Sequence, residues 1–544
     1  MNHPSPKSYL KVHELDNVII ALQDLSTSSH ISIAGRELVL PQDVKAKHKF
    51  VQEDLPENAE IVMYGVPVGK TIMSLPAGTI ITTQNVKHKT SPVLDRNPKT
   101  NWNGPNITRW ENRTFNGYHR SDGSVGTANI WLVFPLVFCE NKNIEIIKEA
   151  VSEALGYSKY HKYKSLAKAL VQGNDVDEFE IDEFIPSQPI FKNVDGVRFI
   201  THTMGCGGTR QDAQTFCGLM AGYLCNPNVA GATILSLGCQ NAQYQILQEE
   251  LSKRNPDFDK PIHYFDQQTI GTEEKLIHGA IKATIDGVKW ANQQSRKPAP
   301  LSKLKIGLEC GGSDGFSGIS ANPTLGQVSD IIAKLKGTCI LAEFPELCGV
   351  EQELTDRCVN AELANKFLDL MHRYESAAIA SGSSFDMNPS PGNIKDGLIT
   401  DAMKSAGAAK KGGTSPVTDI LDYPEMSIKS GLNLLNTPGN DVESTTALAG
   451  SGANIILFTT GLGTPTGNPI VPVIKVSSNS VLSSKMNDII DIDTGPIISG
   501  EKSIEEMADE LMELIIDIAS GTKQSKAVIN QQYDFIPWKR GVSL

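Results

Sequence analysis

No apolar run in this 544-residue chain approaches the roughly 20 residues that a membrane-spanning helix needs. The opening stretch MNHPSPKSYLKVHELDN also lacks the apolar segment of a secretory leader, so the cytoplasm is the expected compartment and no membrane partner is expected. Basic clusters are missing as well. The formal net charge is -12, whereas nucleic-acid binding needs Lys and Arg gathered to neutralise phosphates, so no nucleic-acid partner is expected. The absence of GxxxxGK[ST] excludes a P-loop, and no close-spaced CxxC pair marks a metal knuckle or redox motif. The nine cysteines are odd in number and stand at no disulfide-scaffold spacing, which favours reduced thiols. No short internal repeat occurs.

The chain is long enough for about two to four hydrophobic cores. Its first part, residues 1–92, reads as short strands (NVIIAL, ISIAGRELVL, AEIVMYG, TIITTQNV) between turns, which predicts a small β domain. The segment PVLDRNPKTNWNGPNITRWENRTFNG has no apolar period and predicts a linker over 93–115. Beyond it, continuous apolar runs such as NIWLVFPLVFC and GATILSLGC alternate with amphipathic stretches such as IEIIKEAVSEAL and DAQTFCGLMAGYL. That alternation predicts parallel sheet covered by helices. A second break, NQQSRKPAPLSK near 292–303, divides this part into an α/β domain over 116–295 and a C-terminal α/β domain over 296–544. The fold class is therefore multidomain α/β, with a small β domain followed by two domains of mainly parallel sheet. So many apolar strands are also consistent with a homo-oligomer.

Four segments share one design, an apolar strand running into a glycine turn that carries a thiol or hydroxyls: FITHTMGCGGTRQD, ILSLGCQNAQ, IGLECGGSDGFSG and IILFTTGLGTPTG. Glycines alone would only make tight connections. Cys206, Cys239, Cys310 and the pair Thr459 and Thr460 at matching places suggest instead one ligand site beyond the carboxyl ends of the strands. Cys139 also closes an apolar strand. Thiolates select iron, zinc or an iron–sulfur cluster, whereas Cys217, Cys225, Cys339 and Cys358 read as small buried hydrophobes. His48, between lysines, reads as a solvated histidine or a proton carrier, and His202, at a strand end, as a core histidine or a proton carrier. The carboxylates Glu343, Glu346 and Glu351 suit either a divalent ion or a solvated face. NPSPGNIKDG and NTPGNDVEST read as turns, the second before a helix.

Taken together, the ordered strings DNVIIAL, KHKF, YGVPVG, GYHRSDGSVGTANI, HTMGCG, SLGCQNAQ, ECGGSDGFSGISANPTLG, NPSPGN, TPGND and FTTGLGTPTG resemble the altronate/galactarate dehydratase family over nearly the whole chain. ECGGSDG, GLNLL, TPGND and the closing GVSL are most similar to its altronate branch. The resemblance implies an N-terminal SAF (β-clip) domain and two α/β domains. It implies a hydro-lyase that dehydrates a small-molecule sugar acid, D-altronate to 2-dehydro-3-deoxy-D-gluconate, with activating Fe2+ or Mn2+ in its place. Galactarate or another 2-hydroxy acid is the alternative substrate, and a non-catalytic sugar-acid-binding protein the alternative class.

On the matching positions, His48, His202, Lys49 and Asp314 are the candidate catalytic residues. Ser313, Gly311, Gly312, Asn322, Asn393, Lys395, Thr459, Thr460, Lys475 and Arg210 are candidates for substrate binding, and Cys206, Cys239, Cys310 and Cys139 for the metal. Three features depart from the family pattern, one of them the turn HTMGCGGTRQD, which is unlike the family's typical turn. Gln240 stands where the family has Glu, and Leu462 where it has an arginine suited to a substrate carboxylate, so Arg210 is the expected replacement charge.

Overall fold

The computed structural model describes residues 7–543 apart from 34, 100, 158–161 and 174–188. In the N-terminal part, Val18–Ala21 pairs antiparallel with Tyr9–Leu10 and Lys49–Val51, His30–Ile33 with Arg36–Val39, and Val66–Thr71 with Glu60–Met63 and Val86–Lys87. Ile19, Ile31 and Phe50 fill a small core of their own, while Val18, Val51, Ile61 and Met63 join the main core of the C-terminal domain. The β domain is thus fused to its neighbour by continuous apolar packing.

The second domain is a four-stranded parallel sheet of β1 (Ile130–Pro135), β2 (Gly196–Phe199), β3 (Val229–Ser236) and β4 (Ile262–Asp266), in the order β2-β1-β3-β4. Strand β1 is buried on both faces, which is why it reads as an unbroken apolar run. Trp131 and Val133 enter the core made with helices α1 (Asn141–Ala154) and α4 (Glu273–Ala291). Ile130, Leu132 and Phe134 enter the opposite core, made with α2 (Arg210–Cys225) and α3 (Tyr244–Arg254).

The C-terminal domain holds seven parallel strands, β5 (Lys305–Cys310), β6 (Thr338–Leu341), β7 (Val417–Leu421), β8 (Gly431–Leu435), β9 (Ile455–Thr460), β10 (Val473–Ser477) and β11 (Ile492–Asp493), in the order β7-β8-β6-β5-β9-β10-β11. The chain builds outward from β5 on one side and then crosses to β9 on the other. The crevice beyond β5 and β9 is therefore the topological switch point, where open α/β sheets take their ligands. Helix α5 (Ala321–Lys334) follows β5, α6 (Asp401–Ala408) precedes β7, α7 (Asp441–Gly450) precedes β9, and α8 (Ile504–Ala519) closes the domain. Where α2 crosses α7 the backbones touch: a side chain at Gly222 would lie 2.0 Å from the Gly450 carbonyl oxygen.

Both expected linkers are more structured than their composition suggests. Within 93–115, Arg96 donates to the Thr355 carbonyl (2.9 Å), Asn97 N–H to Asp356 (2.7 Å) and Trp102 to Thr414 (3.0 Å), while Trp110 is buried. This segment is a strap laid on the C-terminal domain. In the second break, Lys297–Pro300 is a strand paired antiparallel with Thr114–His119. It lies at the edge of its sheet, the place where proline's missing N–H is tolerated.

Candidate active site

Strand β5 delivers Cys310 to the switch point, and the glycines after it keep the approach open. A side chain at Gly311 would sit 2.2 Å from Asp441 Oδ2, so only glycine lets the first turn of α7 come this close. Two residues beyond β6, Glu343 adopts the left-handed conformation (φ 69°, ψ 61°), unusual for a residue with a side chain. The Thr437 hydroxyl, just past β8, accepts from its N–H at 2.8 Å. The short turn Phe344–Leu347 then carries Glu346.

These residues form one buried polar centre. The Cys310 thiol lies 3.0 Å from Glu346 Oε2 and 3.4 Å from Glu343 Oε2, and Cys310 N–H donates to Glu343 Oε2 at 3.0 Å. Lys411 Nζ donates to Cys310 Sγ (2.7 Å) and Glu343 Oε2 (2.9 Å). Lys404 Nζ donates to Glu346 Oε1 (2.5 Å) and Asn388 Oδ1 (3.1 Å). Cys310, Glu343, Glu346 and Lys411 are each at most 2% exposed. The expectation that the EFPELCGVEQE carboxylates might face solvent therefore fails for Glu343 and Glu346. Glu309, fully enclosed behind Cys310, accepts from the Ser444 hydroxyl at 2.5 Å.

Burial without enough counter-charge sets the protonation states. Burial, then Glu343, pushes the Glu309 carboxyl well above its usual range, and burial, then Glu346, raises Glu343. Glu346 stays below the usual range because Lys404 and Lys411 outweigh its burial. Against burial, Cys310 and Glu343 hold Lys411 protonated, and Glu346 does so for Lys404. The Cys310 thiol is driven far up by burial and the two glutamates. Asp441 is raised to about 7 by burial, then Glu343 and Glu346, so it exchanges protons near neutrality. Glu309 Oε1 and Glu343 Oε1 are buried without any hydrogen-bond partner.

The expected catalytic residues His48, Lys49, His202 and Asp314 bond to other partners than this centre. Asp314 is saturated: it accepts from Ser317, Ser478 and Asn479 and pairs with Lys47 at 3.0 Å, which anchors the β domain. Lys49 is buried, donates to the Gly397 carbonyl (2.6 Å) and is lowered to about 7 by burial. His48 is half-buried on the rim, with Nε2 3.2 Å from the Lys395 carbonyl, and burial lowers its pKa. His202 belongs to the second domain. Its Nε2 meets the Pro135 carbonyl (2.7 Å), its Nδ1 accepts from Met204 N–H (3.0 Å), and burial lowers it to about 4. With both ring nitrogens engaged, His202 has the geometry of a structural histidine rather than a base.

Of the expected binding residues, Gly311 lies against Asp441, Gly312 accepts from the Gly461 and Leu462 N–H groups, and Asn393 holds that turn by donating to the Ser313 carbonyl (2.7 Å). Asn322 and Thr459 satisfy each other at 2.8 Å, and the Thr460 hydroxyl accepts from Gly463 N–H. Lys475 donates to the Thr466 carbonyl over the Phe458 ring, lowered to about 8 by burial. Lys395 is exposed beside the rim. Leu462 packs its side chain between Gly312 and Gly392. Arg210 is exposed at the start of α2 in the second domain and cannot replace a cation there. Gln240 is a buried brace, donating to Ser236 and accepting from Gly238.

The four expected metal thiols separate into two places. Cys310 is buried in the C-terminal domain, whereas Cys139, Cys206 and Cys239 are exposed just beyond β1, β2 and β3. Their three turns are tied together, Phe138 N–H donating to the Met204 carbonyl (3.1 Å) and Asn241 N–H to the Gly205 carbonyl (2.9 Å). Partial burial, then Cys206 and Cys239, raises the Cys139 thiol. Cys217, Cys225, Cys339 and Cys358 are buried as expected. Sequence reasoning did not single out Lys404, Lys411 or Asp441. The LAEFPE run carries the signal for Glu343, a polar side chain just past an apolar strand, and TPGND carries that for Asp441. Nothing local marks the lysines.

Comparison with known proteins adds an independent line. Residues 7–89 match the family model described as altronate/galactarate dehydratase SAF domain. Residues 117–292 match D-galactarate dehydratase/altronate hydrolase, second domain, and 301–543 match D-galactarate/altronate dehydratase, C-terminal. The chain is 33% identical to altronate dehydratase of Bacillus subtilis (strain 168) over 550 residues, covering 99% of this chain and 100% of that protein. It is 32% identical to altronate dehydratase of Escherichia coli (strain K12), covering 98% and 100%. It is 29% identical to galactarate dehydratase (L-threo-forming) of the same organism, covering 95% and 94%.

Proposed function

The chain belongs to the altronate/galactarate dehydratase family, and from that membership we propose that it dehydrates D-altronate to 2-dehydro-3-deoxy-D-gluconate and water at the centre around Cys310. The observation that carries the placement is the pair Lys404 and Lys411, buried among Glu343, Glu346 and Asp441 at the switch point.

The reaction removes the proton from the carbon beside the carboxylate and expels the hydroxyl of the next carbon. Negative charge gathers on the substrate carboxylate in the first step, and two buried ammonium groups are fixed cations for it. Asp441, poised near neutrality, takes the proton and returns it to the departing hydroxyl, which leaves as water. The resulting enol ketonises. The Ser313 hydroxyl orients the sugar chain.

Fe2+, or Mn2+ in its place, suits the donors Cys310, Glu343 and Glu346, whose ligand atoms lie within 4.8 Å of one another, and Glu343 Oε1 is buried without a partner. Bound there, it supplies Lewis-acid stabilisation of the developing charge. An iron–sulfur cluster instead suits Cys139, Cys206 and Cys239, which are not among the described groups that close on a single ion. Iron and acid-labile sulfide measured on anaerobically purified protein separate the two: iron without sulfide supports the ion, and equimolar sulfide the cluster. The substrate is tested by incubating protein and Fe2+ with D-altronate, galactarate and other 2-hydroxy acids and assaying for a 2-keto-3-deoxy acid. Preferential turnover of galactarate would overturn the altronate assignment.

A further inference from the structure

A second group of metal-type donors lies between the β domain and the C-terminal domain. His88 follows the strand Val86–Lys87, Cys348 follows the turn that carries Glu346, and Asp401 opens α6. One ligand atom of each lies within 4.8 Å of the others. The three segments are held in register independently of these side chains. The Thr400 hydroxyl donates to the Val68 carbonyl, and a side chain at Gly349 would meet both Thr90 (2.6 Å) and Ala402 (3.4 Å).

What marks the group is its unsatisfied chemistry. Asp401 is 1% exposed, its carboxylate faces the Cys348 thiol and has no N–H or O–H donor, and His88 Nδ1 is buried and unpartnered. Ionised in this setting a carboxylate costs several kcal/mol, so without a cation, burial and then Glu346 hold Asp401 protonated. Lys404, on the same helix, is committed to Glu346 and Asn388. The other charged groups bearing on Asp401 are Glu346 and Glu351, both carboxylates, which deepen the problem. A divalent cation removes it in one step.

We propose that His88, Cys348 and Asp401 form a metal site for a borderline divalent ion of the Zn2+ or Fe2+ type, separate from the centre at Cys310. One imidazole nitrogen, one thiolate and one carboxylate are the mixed donor set such ions accept, with a fourth position left for water. Binding releases the thiol proton and converts the His88 nitrogen, the Cys348 thiol and the Asp401 carboxylate into ligands. The site staples the β domain to the helix that carries Lys404, so its role is to position that lysine and not to touch substrate.

The test uses the metal-stripped full-length protein titrated with Co2+, whose thiolate ligation gives a near-ultraviolet charge-transfer band. In a Cys310→Ser background, which removes the thiolate of the other centre, the expected result is one tightly bound equivalent whose band persists when Cys139→Ser/Cys206→Ser/Cys239→Ser is added but disappears when Cys348→Ser is added. His88→Gln, which retains the thiol, should weaken Co2+ binding at least ~10-fold, as loss of one ligand or its support does. It also serves as the deciding variant should Cys348→Ser fail to fold. In that background a band unchanged by Cys348→Ser, or Co2+ affinity unchanged by His88→Gln, overturns the proposal, as does the absence of any thiolate band.

Discussion

At the scale of single residues, the account rests on a few side chains whose surroundings fix their charge. Asp441, raised to about 7, acts as a base only when ionised, so kcat should rise with pH through about 7. Asp441→Asn should lose that limb and about 10²- to 10⁴-fold in kcat; a variant with an unchanged pH–rate profile would remove Asp441 from proton transfer. Lys411→Met leaves Glu343 without its buried partner and should cost about 3–5 kcal/mol, read as a lower urea midpoint. His202→Asn, by contrast, tests a structural role and should lower stability far more than kcat/KM of the protein that remains folded. The sequence made Cys310 and its glycines legible because strand, thiol and turn are contiguous. Lys404 and Lys411 were not legible, since they reach the centre from α6 and the turn after it, about 60 to 100 positions along the chain, and carry no local pattern. Asp314 drew attention for its place in a glycine turn, yet that turn spends its carboxylate on Lys47 and the neighbouring hydroxyls.

At the scale of elements, the glycine turn after β5 is the most constrained. Gly311→Ala should abolish turnover, because its new methyl group would collide with Asp441. Helix α8 carries a reciprocal cap between Ser503 and Glu506, so Ser503→Ala should cost about 0.5–2 kcal/mol by chemical denaturation without changing kcat. Strands β1 and β3 were readable as continuous apolar runs because both faces are covered. The Lys297–Pro300 strand was not, because two prolines suppress every strand signal and only its edge position makes them tolerable. The strap over 93–115 read as a tether for a similar reason: it is held by backbone and arginine hydrogen bonds rather than by an apolar period.

For the whole molecule, shared cores matter more than boundaries. One core joins the β domain to the C-terminal domain, and a second joins α2 of the second domain to α7 and β9. Among the described residues no helix is long and apolar enough to cross a membrane. The strand-end turns are therefore divided between two sheets, with Cys310, Thr459 and Thr460 at one and Cys139, Cys206 and Cys239 at the other, where the sequence alone suggested a single site. That division follows from sheet membership, which no local pattern encodes. The central claim is that dehydration takes place at the Cys310, Glu343 and Glu346 centre. Its most direct test is Glu346→Gln, purified anaerobically beside the wild type, supplied with Fe2+ and D-altronate and assayed for 2-dehydro-3-deoxy-D-gluconate. The account predicts product from the wild type and at least ~10²-fold less from a variant that is still folded; wild-type turnover in Glu346→Gln would contradict it.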